Sequence, residues 1–111
     1  MNDEGREVLR RAALDGHRQA YYSLHDDDAD CALGVLHLAA HRNREEAVTC
    51  DGMHNDSMDL EEYPCRAIQR FKVSWEEQSE IIWRNDAARQ DFLTIATKTG
   101  IEPIDPGATS V

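Results

Sequence analysis

The chain lacks a long apolar run, a basic face and paired cysteines, and each absence removes a class of function. No stretch approaches the roughly 18 consecutive apolar residues that a membrane-spanning helix needs. The opening segment, MNDEGREVLRRAALDG, is charged where a secretory leader requires an apolar core, so a cytoplasmic protein is expected. Lysine and arginine total 12 against 22 aspartates and glutamates, giving a net charge of −10 with no basic stripe. Non-specific nucleic-acid binding works by Lys and Arg displacing phosphate counterions, so direct contact with DNA or RNA is not expected. The three cysteines, Cys31, Cys50 and Cys65, are odd in number and form no C-x-x-C pair, which fits free thiols better than a disulfide framework. Acidity on this scale serves solubility. It also suits attraction to a basic protein surface or mimicry of nucleic acid.

What is present is one small, mainly α domain of about five short helices, with one short β-hairpin. A chain of 111 residues holds a single modest core. Residues 1–100 are expected to form that domain. Residues 101–111, which include EPIDPGATSV, read as a flexible tail because prolines, glycine and small polar residues resist regular structure.

The first helix is predicted from Asp3 to Leu14, with Val8, Leu9, Ala12 and Ala13 on one side and Gly16 as its stop. HRQAYYSLHDDD then reads as extended or hairpin-like, with an aspartate cluster at its turn. DCALGVLHLAAH, residues 30–41, is the most apolar stretch. Leu33, Val35, Leu36, Leu38, Ala39 and Ala40 are spread nearly all round a helix, which predicts a buried one, capped by Asp30. Gly34 costs about 1 kcal/mol against alanine inside a helix, which predicts another helix packing closely against it. Cys31 has no base beside it and reads as structural.

Residues 42–62 are polar and long for a loop in a compact domain, so they read as functional or mobile. Pro64 suits the first turn of a helix over 64–71 with Ile68 and Phe71 inward. Ser74 and Glu77 have capping-box spacing before a helix that offers Trp75, Ile81 and Ile82 to the core. Asn85-Asp86 ends it. Asp91 caps a last helix bearing Phe92, Ile95 and Ala96, and Gly100 stops it.

CALGVL followed by NDAARQDFLTIA resembles a family of small bacteriophage and actinobacterial proteins that have a C-x-L-G-V-L helix and an N-D turn leading into an F-x-x-I-A helix. Upstream, DGHRQAYYSL is similar to the family's glycine-aromatic-glutamine stretch, with Gly16, Gln19 and Leu24 in place and His17 near the usual aromatic. Residues 73–84 resemble the stretch before the turn, and the likeness covers roughly residues 5 to 99. Arg84 stands where an apolar residue is usual, and the link to Phe92 lacks the common glycine and serine. The resemblance implies a phage or phage-like origin and supplies no catalytic residues.

Two metal patterns can be weighed. His37 and His41 lie at i and i+4, and Cys50 and His54 repeat that spacing, a set that could make a tetrahedral zinc site. Leu38 follows His37, so there is no H-E-x-x-H, and a surface histidine pair with a loop cysteine is the simpler reading. Asp26, Asp28 and Asp30 have the first beats of a calcium loop, but Cys31 replaces the glycine and His37 the bidentate glutamate. No metal and no cofactor is expected.

Asn85-Asp86 is the most suggestive polar pair. Its ordinary role is to satisfy the amides and carbonyls of its turn. Its sharper role is to line a pocket with Gln19, Tyr21 and Tyr22, where His17 and Arg18 stand near to meet phosphate. No catalytic constellation is visible, so the expected function is non-enzymatic: a phage-type protein that sequesters a small nucleotide-like signal or a host defence protein. The alternatives are a structural interaction subunit, or a zinc-dependent enzyme or zinc-stabilised module. A pocket in so small a chain forms between helices or across a homo-oligomer interface.

Overall fold

The structure, a computed structural model, describes residues 1–48 and 66–102, and of Arg66 and Ile68 the backbone alone. Helix α1 is Asp3–Leu14; a hairpin follows, of β1, His25–Asp26, and β2, Ala29–Asp30. Then come α2, Ala32–Ala40, α3, Arg44–Val48, α4, Arg66–Phe71, α5, Trp75–Ile82, a π turn over Trp83–Ala87, and α6, Phe92–Lys98. The fold is mainly helical with one short hairpin, as the sequence predicts. Among the described residues no helix is long and apolar enough to cross a membrane.

Helix α1 begins where Asn2 Oδ1 accepts from the Gly5 amide at 2.9 Å, while the Asn2 side chain also donates to Arg70 O. It ends in a Schellman turn: Gly16, at φ +70°, lets the Gly16 amide reach Ala13 O and the His17 amide reach Ala12 O. That turn aims the chain sideways and delivers His17 to the side of the helix.

Helix α2 is the centre. Ala32 to His37 are all buried, and Leu33 and Leu36 join Leu9, Phe71, Ile81 and Ile95 in one cluster. Each such side chain is worth about 1.5–3 kcal/mol when withdrawn from water. The helix cap is not Asp30. Cys31 occupies that position, and its Sγ accepts from the Gly34 amide at 3.3 Å. Asp30 closes the hairpin one residue earlier, and its carboxylate has other partners. Gly34 does meet another backbone, although that backbone is not helical. A Cβ there would lie 2.1 Å from the carbonyl oxygen of Leu24, in the segment that enters the hairpin.

Other expectations are corrected. The α4 helix starts at Arg66, so Pro64 and the Ile68 side chain lie outside the described residues; Phe71 is fully buried as expected. Residues 44–48, expected to be irregular, form α3, with Asn43 Oδ1 accepting from the Glu46 amide at its start. The Ser74–Glu77 capping box is present. Trp75 and Ile82, however, are 44% and 45% exposed, because α5 turns Gln78 and Ile81 inward and these two lie on another stripe. The helix does not simply end at Asn85. It widens into the π turn, in which the Ala88 amide reaches back to Trp83 O and Arg84 and Asn85 are buried. Buried Arg84 is neutralised by Glu80 at 2.7 Å. Asp91 caps α6 through the Thr94 amide, and Phe92, Ile95 and Ala96 are buried, as predicted.

The tight approach at Gly34 carries a prediction. Gly34→Ala should destabilise the domain by about 2–3 kcal/mol through overpacking against Leu24 O, and Gly34→Leu by more. Thermal unfolding with an unchanged midpoint in Gly34→Ala would contradict this packing.

Candidate functional site

Asp30 is the only carboxylate among the described residues that is fully buried, and nitrogen donors surround it. Arg44 of α3 donates to both oxygens, at 2.9 and 2.8 Å. His25 Nδ1 lies 2.6 Å from Oδ1, and His17 Nε2 lies 2.6 Å from Oδ2. Burial pushes this carboxyl's pKa up, but the bonds from Arg44, His25 and His17 outweigh that and hold it below its ordinary 3.8. An ionised carboxylate only accepts, so both imidazoles present N–H to it. His25 then passes its other nitrogen to His37: Nε2 and Nδ1 are 2.9 Å apart and the rings stack at 5.2 Å. His41 packs edge-on against His37 at 4.6 Å.

A second polar knot lies beside the first. Asn85 is fully buried and uses every hydrogen-bonding position of its amide. Its Oδ1 accepts from the Ala32 amide at 2.9 Å and from Gln19 Nε2 at 2.8 Å. Its Nδ2 donates to Ala20 O at 2.9 Å and to Asp86 Oδ1 at 2.7 Å. Asp86 also accepts the Tyr22 amide. The pair thus ties the extended segment to the start of α2, which is the ordinary role set out above.

The sequence-predicted site residues divide among several places. His17 and Gln19 line one cleft of about 430 Å³ between the last turn of α1 and the first turn of α6. Arg10, Ala13 and Leu14 form one side of it and Asp91, Phe92 and Leu93 the other. Asp86 and Tyr22 line a second cleft of about 410 Å³ with Leu24, Cys31, Leu33 and Ile82. Asn85 is sealed between elements. Arg18 is exposed and pairs with Asp28 at 2.6 Å, and Tyr21 lies under the Arg89 guanidinium at 4.4 Å; neither lines these two clefts. The structure therefore brings together Gln19, Asn85 and Asp86 as a clamp and His17 and Gln19 as a cleft wall.

Asp30, His25, His37 and Arg44 are the residues that pattern reading did not group. They come from two strands and two helices with no shared periodicity, and the one available signal was an aspartate within reach of several histidines. Among the described residues no cluster of His, Cys, Asp and Glu could hold a metal ion, and Cys50 and His54 lie outside them. The Cys31 thiol is pushed up to about 11, chiefly by burial, which disfavours the thiolate that a nucleophile requires.

Three outcomes follow. Asp30→Asn should cost about 3 kcal/mol or more, because Arg44 loses its buried counter-charge and the two imidazoles lose the carboxylate that accepts their N–H. Since the folded pKa of Asp30 lies below its unfolded value, its contribution is complete above about pH 4 and is lost as pH falls through the folded value. The stability of Asp30→Asn should therefore fall less steeply than that of wild type under acid titration. Native protein treated with iodoacetamide at pH 8 should leave Cys31 unlabelled by peptide mass mapping, with labelling only after unfolding.

Comparison of the chain with protein-family models, with curated proteins and with solved structures finds no match.

Proposed function

We propose that this protein is a non-enzymatic binding module that takes a small nucleotide-like ligand into the cleft between α1 and α6 and releases it unchanged. The observation that supports this reading is the meeting of His17 and Gln19 with Phe92 and Leu93 in the lining of one cleft. A volume of about 430 Å³ suits a small molecule. The walls are mainly hydrocarbon with a few fixed polar groups, the usual make-up of a ligand site. Those groups are set before any ligand arrives: Asp30 orients His17, and Asn85 and Gln90 O orient Gln19.

The likeness to small bacteriophage proteins supplies the biological setting of the proposal, sequestration of a signal on which a host defence depends. A host protein is the second reading. Leu14 and Leu93, 85% and 51% exposed at the rim of the cleft, favour it.

Calorimetry against a panel of cyclic and ADP-ribose-type nucleotides, with chromatography of the recovered ligand, tests the proposal. Tight binding with intact recovery is expected, and Leu93→Glu should weaken it by about tenfold or more, roughly 1.4 kcal/mol. Cleaved ligand would make the protein an enzyme. No binding across the panel would move the host-protein reading to the front, to be tested by pull-down from a bacterial lysate.

A further inference from the structure

We infer that the cleft between α1 and α6 reads the hydrogen-bonding edge of an amino-substituted heteroaromatic ring, such as an adenine-type base, rather than a phosphate. This rests on the ligand-binding reading above and adds to it the chemical class that the site selects.

Gln19 Nε2 spends both hydrogens inside the protein, on Asn85 Oδ1 at 2.8 Å and on Gln90 O at 2.7 Å. Asn85 Oδ1 also accepts the Ala32 amide, so that atom is an oxygen and the Gln19 group facing it is the NH₂. What Gln19 has left for the cleft is its carbonyl oxygen, an acceptor. His17 is fixed in the same way. Its Nε2 carries the hydrogen bonded to the Asp30 carboxylate, which fixes the ring in the cleft wall. Asp91 caps α6 through Oδ1 at 2.7 Å and, as a carboxylate, has accepting capacity to spare. Arg10 brings the guanidinium donors.

Two acceptors, the Gln19 carbonyl and the Asp91 carboxylate, beside one donor group do not suit a phosphate, whose outer oxygens are acceptors at neutral pH. An alkylammonium would meet the charge of Arg10. An exocyclic amine beside a ring nitrogen offers its two N–H donors to Gln19 and Asp91 and an acceptor to Arg10. Its flat apolar body matches Leu14, Phe92 and Leu93. A site that bonds an N–H group favours the ligand that carries it over an analogue that lacks it.

Adenosine and purine riboside differ by the exocyclic amine alone, so isothermal titration of the full chain with each, at neutral pH, tests the inference. Adenosine should bind at least about tenfold more tightly than purine riboside, and Leu93→Glu, checked for an unchanged melting temperature, should lose adenosine. Equal affinity for the two nucleosides would overturn the edge-reading inference and leave the cleft as a nucleoside site. Unchanged adenosine affinity in Leu93→Glu would place binding elsewhere and overturn it as well. Absence of binding by either nucleoside would overturn this inference, while the ligand reading on which it rests would stand or fall with the nucleotide panel.

Discussion

One buried carboxylate organises the domain. Asp30 receives bonds from a residue after α1, from β1 and from α3, while its backbone pairs with Arg18 and Ala20 of the extended segment. An unpaired charge in such a place costs several kcal/mol, so the surrounding elements are held where they can supply donors. Arg44 matters most because it bonds both oxygens at once, a geometry that lysine cannot reproduce. The apolar cluster around Leu36 and Phe71 provides the driving force for folding. The Asp30 knot determines how the hairpin, α2 and α3 sit on that cluster.

Most of the helices were legible because each is encoded locally, whereas the five-residue α3 was not. Asn2, Ser74 and Asp91 cap their helices from their own sequence neighbourhoods, and Gly16 marks the end of α1. The apolar girth of residues 32–40 announces burial without any tertiary information. Gly34 announced a close approach, although sequence could not say that the partner is a loop carbonyl rather than a helix. Trp75 and Ile82 were misplaced because apolar character alone does not fix the rotation of an eight-residue helix. That rotation follows from Gln78 and Ile81 turning inward and from the buried Arg84–Glu80 pair just beyond.

The site was legible only in part, for a related reason. Asn85-Asp86 stood out as a polar pair between two helices, and Gln19 as part of the family-like stretch before the hairpin, and they do meet. Yet the meeting saturates Asn85, so its visibility reflected a structural duty. The Asp30 network escaped notice because its four side chains lie on separate elements, and only the fold brings them within bonding distance. His17 was noticed as a neighbour of the extended segment, but not as a ring whose orientation is dictated from the buried side.

His17 links the two halves of the molecule. One nitrogen belongs to the knot that holds the fold together, and its ring, 27% exposed, forms part of the cleft wall. A ligand that engaged the outer nitrogen would touch a group already immobilised by Asp30, and so would incur little of the ordering cost that a free surface histidine imposes. The overall charge of −10 then poses no obstacle to a nucleotide. Its influence is screened beyond about 8 Å at physiological salt, whereas the contacts that discriminate act at bonding distance. In this protein the polar groups that specify the fold also fix the polarity of the cleft. If the cleft binds as proposed, changes at Asp30 or Gln19 must therefore alter stability and recognition together, while Leu14 and Leu93, exposed at the rim, are where recognition can change alone.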